Sequence, residues 1–191
     1  MKTTLIKAAA VLLAAGAILP ASAGSLTYQG VTFTSSWAGN VLTLEIDAAN
    51  PTGDWANATS LGALQLKNIG SFSNVSLTSA PGAAGDWTLS SKELNANGCA
   101  GGGHAGFGLC YSGDRIALSD DMVFQFTFAG GAQDLESPRL KVNFVGEGDR
   151  KVGSLLSQAI APVPEPQTYA MLGGGLALLG FMARRRKQTQ A

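Results

Sequence analysis

The chain has little of what most catalytic sites are built from. Its 191 residues include two cysteines and one histidine, and charged residues make up 14% of it. It contains no phosphate-binding glycine loop, nucleophile elbow or metalloprotease helix. A glycosidase can still place its two carboxylates anywhere in a fold. With a single histidine in a domain of about 140 residues, we expect a protein that is not an enzyme and that uses no cofactor.

A basic surplus is also lacking, since thirteen Lys and Arg residues balance thirteen Asp and Glu residues. Six of the basic residues lie in the two end segments. Residues 24–163 hold seven basic residues against twelve acidic ones, a net charge near −5. Binding to phosphates requires a basic surface. We therefore expect no nucleic acid partner for this part of the chain.

Residues 1–23 have the pattern of a secretory signal peptide. A positively charged start precedes an apolar run at 8–19 that is too short for an anchor helix. Small residues, Ala21 and Ala23, occupy the two positions that signal peptidase recognises. Cleavage after Ala23 would leave Gly24 as the mature N-terminus, without the cysteine of a lipoprotein. The mature chain is therefore predicted to work outside the cytoplasm.

Residues 24–162 have the length of one domain and the pattern of β-structure. About eight short segments of alternating apolar and polar residues are separated by Gly, Pro, Asn and Asp clusters. The clearest is 122–128, where a methionine and three phenylalanines alternate with Val, Gln and Thr. The pattern predicts an all-β fold, an antiparallel β-sandwich of the jelly-roll type, with one face of each sheet packed and the other wet.

Two cysteines, Cys99 and Cys110, bracket a glycine-rich segment that contains His104. In an exported protein an even pair predicts a disulfide. Closing a loop of this size is worth roughly 2.5 to 3 kcal/mol. A metal site formed by all three residues is the alternative, but it needs a fourth ligand, and oxidising surroundings favour the disulfide. We expect no metal here and an exposed, inert His104.

An acidic pair, Asp120 and Asp121, has Asp114 nearby in the sequence. Clustered carboxylates suit Ca²⁺, but the spacing matches no EF-hand or calcium-binding repeat. A solvated turn before the 122–128 strand is the favoured interpretation.

The three tryptophans are Trp37, Trp55 and Trp87. Exposed in a row, they could stack on sugar rings and make the domain a carbohydrate-binding module. Tryptophans more often fill a core or pack at a sheet edge. Exposure on one flat face would favour the first interpretation, and burial of all three would favour the second.

From residue 163 onwards a proline-rich element, an apolar run and a basic block follow one another. Pro164, Glu165 and Pro166 favour an extended peptide that an enzyme can grip, because proline excludes helix at and before its own position. The apolar run at 170–183 falls short of the ~20 residues that cross a bilayer comfortably, but we expect it to form a single transmembrane helix. The basic block fixes the orientation, leaving 188–191 in the cytoplasm; it consists of Arg184, Arg185, Arg186 and Lys187.

In this order and spacing the three parts resemble the PEP-CTERM sorting signal of Gram-negative, matrix-forming bacteria. The resemblance covers residues 163–187. An ordinary membrane anchor would explain the apolar run and the basic block, but not Pro164-Glu165-Pro166 at the membrane edge. The resemblance implies recognition by an exosortase, a membrane-embedded cysteine transpeptidase. This enzyme would cut at or near the motif and release the domain or transfer it to a surface acceptor.

The resemblance also implies a role, because exosortase systems accompany exopolysaccharide production. We expect an exported, non-enzymatic protein of the cell surface or extracellular matrix, associated with exopolysaccharide and biofilm. Its expected partners are exosortase, signal peptidase, transiently the inner membrane, and the matrix polysaccharide. The alternative is a carbohydrate-binding module for that polysaccharide. An enzyme acting on glycan is a third possibility and would need two carboxylates facing each other in a cleft.

Overall fold

The computed structural model describes residues 23–103, 108–131, 138–163 and 173–177. Nearly all regular structure within these ranges is β-strand, which confirms the all-β prediction. The strands are β1 (Ala23–Tyr28), β2 (Val31–Ala38), β3 (Val41–Asp47), β4 (Ser60–Lys67), β5 (Asn74–Ser79), β6 (Thr88–Ser90), β7 (Gly108–Ala117), β8 (Met122–Ala129), β9 (Arg139–Val145), β10 (Leu156–Ala159) and β11 (Ala161–Pro162). Short 3₁₀ helices lie at Gly53–Trp55, Gly82–Asp86 and Glu147–Asp149.

The strands form two antiparallel sheets. The six-stranded sheet has the order β11-β1-β2-β3-β8-β5, and the five-stranded sheet has the order β10-β9-β4-β7-β6. The chain changes sheet at each step from β3 to β5 and again from β7 to β9. Alternation of consecutive strands between two sheets is typical of a jelly roll. Strands β1, β2 and β3 do not alternate, because they form a simple meander within one sheet.

A single hydrophobic core lies between the two sheets. In β8 every second side chain is buried, as the alternation predicted, and Phe124 and Phe126 are fully enclosed. Leu64 and Phe144 from the five-stranded sheet belong to the same buried cluster. Burying each such side chain contributes about 1.5 to 3 kcal/mol, so the joint core explains why the two sheets pack face to face as a sandwich.

The outer face of the five-stranded sheet is partly covered, and here the prediction of a wet face is wrong. Residues 91–103, which we call the outer flap, fold back over β4, β7 and β9. Consequently β4 is buried on both sides: Leu64 and Leu66 face the core, while Ala63 and Gln65 lie under the flap. The flap holds itself together as a small hairpin, in which the Glu93 amide donates to the Gly102 carbonyl at 2.9 Å.

The predicted signal peptide and the predicted transmembrane helix lie mainly outside the described residues. Of the predicted transmembrane segment, residues 173–177 are described and are helical. Within the described ranges, we find no helical segment with the length and hydrophobicity of a membrane span. The transmembrane helix and the signal peptide before Ala23 therefore stay predictions.

Candidate functional site

The two ends of the folded domain meet at one edge of the six-stranded sheet. Strand β11 pairs antiparallel with β1, so that Gly24 lies opposite Pro162 and Ser25 lies opposite Ala161. One residue further on, the Val163 amide donates to the Ala23 carbonyl at 2.8 Å. The predicted sorting motif therefore begins directly where the pairing of the last strand ends.

The predicted mature N-terminus fits this edge closely. A side chain at Gly24 would place its Cβ 2.9 Å from the carbonyl oxygens of Ile160 and Ala161, which is too close for any residue but glycine. Cleavage after Ala23 would remove the acceptor for Val163 but keep both residue pairs between β1 and β11. The cleavage site itself, at Ala21, Ala23 and Gly24, stays a prediction.

The residues of the sorting signal itself lie outside the described ranges. This applies to Pro164, Glu165 and Pro166 and to the basic block 184–187. The structure shows where the sorting signal starts relative to the fold, because Val163 alone separates the motif from β11. An enzyme that binds the motif must therefore work beside the folded sandwich, without an intervening linker.

The predicted disulfide is present and anchors the outer flap. Cys99 in the flap is bonded to Cys110 on β7, with an S–S distance of 2.06 Å. Together with Ala63 and Leu94, the two cysteines form a second small buried cluster outside the main core. Because the two sulfurs are bonded to each other, neither offers a thiolate to a metal. His104 lies outside the described residues, and its exposure stays a prediction.

Glu93 attaches the outer flap to the five-stranded sheet through ion pairs with two lysines. Its carboxylate contacts the Lys67 ammonium on β4 and accepts a hydrogen bond from Lys141 on β9 at 3.2 Å. Burial by itself would raise the pKa of Glu93, but the hydrogen bonds and charges of the two lysines outweigh it and lower the pKa. The ionised form of Glu93 is thus stabilised in the folded protein.

Neutralising Glu93 should alter the acid response of the fold. Because the folded-state pKa of Glu93 is lowered, its contribution to stability is present above the unfolded pKa near 4.5 and is lost as the pH falls through the folded value. Glu93→Gln should therefore destabilise the protein near neutral pH and match the wild type in acid. Lys67→Gln, which removes one of two partners, should give an intermediate profile. Denaturant unfolding across pH 3 to 7 measures this, and parallel profiles for variant and wild type would contradict it.

All three tryptophans are buried, which contradicts the sugar-stacking interpretation. Trp37, Trp55 and Trp87 are 3%, 0% and 5% exposed. Trp55 lies in the main core, where its ring meets the ring of Phe144 edge-on at 4.8 Å, and its Nε1 donates to the Ser154 carbonyl at 3.0 Å. None of the three rings is available to a sugar surface, because core packing occupies them.

The indole N–H groups of two of these tryptophans differ in whether they have a hydrogen-bond acceptor, and this difference can be tested. Trp55 Nε1 has an acceptor, whereas Trp37 Nε1 is buried without a partner among the described residues. Trp55→Phe and Trp37→Phe remove a similar volume, but only the first breaks a hydrogen bond. We expect Trp55→Phe to cost about 1 to 3 kcal/mol more in free energy of unfolding. Equal costs in urea titrations would contradict the assignment of Trp55 as a hydrogen-bonded core residue.

The acidic pair Asp120 and Asp121 lies in the connection between β7 and β8, and Asp114 lies on β7. Asp120 Oδ1 accepts from the Ala49 amide at 3.0 Å, and Asp47 Oδ1 accepts from the Asp121 amide at 2.9 Å. The carboxylates of Glu45, Asp47 and Asp121 approach within 4.8 Å of one another. Partial burial, together with the charges of Asp47 and Asp121, raises the pKa of Glu45. These backbone hydrogen bonds give the carboxylates of Asp47 and Asp120 a structural role at the turn before β8.

A polar cavity of about 290 Å³ lies beside the outer flap and was not predicted from the sequence. It lies where β4, β7 and β9 run side by side, and the tip of the flap forms one wall. Its floor includes Gly62, and its polar side chains include Arg115, Asn143 and Asp149. A glycine inside a strand pattern is a known sign of a bulge, and Gly62 was the one signal that pointed here.

The comparisons with known proteins bear on the sorting segment. Residues 162–187 match the family model described as PEP-CTERM protein-sorting motif, starting at the last residue of β11. No curated protein and no solved structure matches the chain. The predicted resemblance is thus confirmed. The chain carries a PEP-CTERM protein-sorting motif, which implies export to the cell envelope or surface and processing by an exosortase.

Proposed function

We propose that the chain is a non-enzymatic protein of the cell surface or extracellular matrix, associated with exopolysaccharide and biofilm. In this proposal the sandwich is exported, held briefly in the inner membrane by the segment after Pro166, and then separated from it at the motif. The domain thereafter serves as a stable, disulfide-bonded unit outside the cell.

The observation that supports this proposal most is the position of the sorting motif relative to the fold. The family match begins at Pro162, which pairs with Gly24 in the sheet. Cutting after this point leaves β11 and the whole core on the released side. The sorting step can therefore deliver a complete domain.

A structural role rather than catalysis is supported by the chemistry of the cavity. Glycoside hydrolysis uses two carboxyl groups that flank the scissile bond. Among the residues that line the cavity, Asp149 carries the one carboxylate, and it is paired with Arg115. This arrangement suits binding better than acid–base chemistry.

Fractionation of the native host tests the proposed matrix role. We expect the processed protein in the matrix fraction together with exopolysaccharide, and we expect it to shift to the medium in a strain that makes no polysaccharide. Immunoblots of membrane, matrix and medium fractions measure the distribution. A distribution that does not change when the polysaccharide is lost would contradict the matrix association, while leaving exosortase sorting intact.

A further inference from the structure

The polar cavity beside the outer flap owes its shape to an irregularity in three neighbouring strands. Between Leu61 and Ala63, strand β4 carries Gly62, for which β9 has no paired residue. Opposite the same glycine, β7 has three residues, Gly113 to Arg115, which is two more than regular pairing requires. Bulges of this kind redirect side chains and are frequent next to binding sites. Here the glycine leaves the cavity floor without a side chain, and the extra residues of β7 bring Arg115 to the cavity.

The cavity has a buried hydrogen-bond acceptor that the protein does not use. Asn143 is 4% exposed and lines the cavity. Its Nδ2 donates to the Ala96 and Asn95 carbonyls of the flap at 3.2 and 3.4 Å, which fixes the orientation of the amide. Its Oδ1 then accepts no hydrogen bond from the described residues. Buried polar atoms normally have a partner, so this atom calls for a donor from outside the chain.

The charges at the cavity cancel. The Arg115 guanidinium forms an ion pair with the Asp149 carboxylate, and its Nη2 also contacts the Asp149 carbonyl oxygen at 3.4 Å. A free cation would attract an anionic ligand, and a free carboxylate would attract a cationic one. A neutral pair instead offers donors and acceptors side by side, which suits hydroxyl groups because each can donate and accept at once.

We propose that this cavity binds one unit of a neutral, hydroxyl-rich ligand, namely a neutral sugar residue. Its volume of about 290 Å³ is just below the range of drug-sized ligand pockets, roughly 300 to 1,000 Å³, which suits a ligand as small as one sugar unit. Ligand hydroxyls donate to Asn143 Oδ1 and Asp149 and accept from Arg115. This inference deepens the proposed function, on which it rests for the source of the sugar.

Saturation-transfer NMR with the full chain tests the binding. The protein is held in lauryldimethylamine oxide, a detergent without a sugar headgroup that could compete. The probes are D-glucose, D-galactose, D-mannose and N-acetyl-D-glucosamine, with D-glucuronate and inorganic phosphate as charged counterparts. We expect saturation transfer to at least one neutral sugar, and stronger transfer to neutral than to charged probes.

Matched variants localise the binding site. Arg115→Gln should weaken the affinity about tenfold, since it removes charge-assisted donors. Arg139→Gln is the control, because Arg139 Nη2 makes a similar contact, to the Ser157 carbonyl at 2.9 Å, on the same sheet but outside the cavity. It should change the affinity by less than about twofold. Gly62→Val, which fills the cavity floor, should abolish binding, and thermal unfolding checks that this variant still folds.

Three results would overturn the proposal. The first is no transfer to any neutral sugar, which would leave water as the partner of Asn143. The second is binding confined to glucuronate or phosphate, which would make the cavity an anion site. The third is equal weakening by Arg115→Gln and Arg139→Gln, which would place the sugar elsewhere. None of these touches sorting, because the mass and location of the processed protein are measured independently.

Discussion

Replacing Pro164, Glu165 and Pro166 with alanine is expected to leave nearly all of the protein unprocessed and in the membrane fraction. The three residues lie within the part of the chain that matches the sorting motif. Alanine permits helix where proline forbids it, so the replaced segment would join the predicted helix after residue 170 instead of presenting an extended peptide. Immunoblots of membrane and medium fractions from the native host measure the change.

The matched control is Pro51→Ala, which alters a proline in a turn of the domain, far along the chain from the motif. It should be processed like the wild type. The triple variant should also keep its fold, because the pairing of β11 with β1 ends before Pro164. Normal release of a folded triple variant would show that the motif is not what the processing enzyme recognises.

Removing the disulfide by Cys99→Ser with Cys110→Ser should lower the free energy of unfolding by about 3 kcal/mol. The bridge closes a loop with a sequence separation of 11 residues, for which the chain-entropy model gives roughly 2.7 kcal/mol. Two hydroxyls would also replace buried sulfurs beside Ala63 and Leu94, at an additional desolvation cost. Urea unfolding of variant and wild type measures the difference.

Ala100→Ser is the matched control, since it adds a hydroxyl at an exposed flap position next to Cys99. Its effect should stay within about 0.5 kcal/mol. The double cysteine variant should also lose protection from amide exchange first in the outer flap, because ion pairs and hydrogen bonds then hold it without a covalent link. An unchanged stability would show that these ion pairs and the hydrogen bonds to Gln65 and Asn143 are sufficient to hold the flap.

Much of the sandwich was predictable because its signal is local. In β8, and likewise in β3, the apolar side chains recur with period two and face one core. The outer flap was not predictable in the same way, since a glycine-rich segment has no periodicity. Its position depends on partners distant in sequence, such as Gln65, whose Oε1 accepts from the Leu94 amide at 3.1 Å. A polar residue in the otherwise apolar 61–66 segment was the visible hint of a covered outer face.

The functional features also differ in whether their signal is local in the sequence or depends on contacts between distant residues. The sorting motif is a continuous segment, so residue types and spacing were sufficient to identify it. The cavity depends on strand register, because Gly62 meets Arg115 and Asn143 only once β4 lies between β7 and β9. The tryptophans were visible in the sequence, but their role was not. The same three residues can fill a core or form a sugar-binding surface, and their burial in the structure decides for the core.

The most direct test of the account is the intact mass of the protein recovered from the surface and medium of its native host. We expect a chain that begins at Gly24 and ends near Pro164 to Pro166, with or without the added mass of an acceptor. A chain that runs to Ala191 and occurs in the membrane fraction alone would contradict it. In that case the segment after Pro166 would be a permanent anchor, and delivery of the sandwich to the matrix would have to be abandoned.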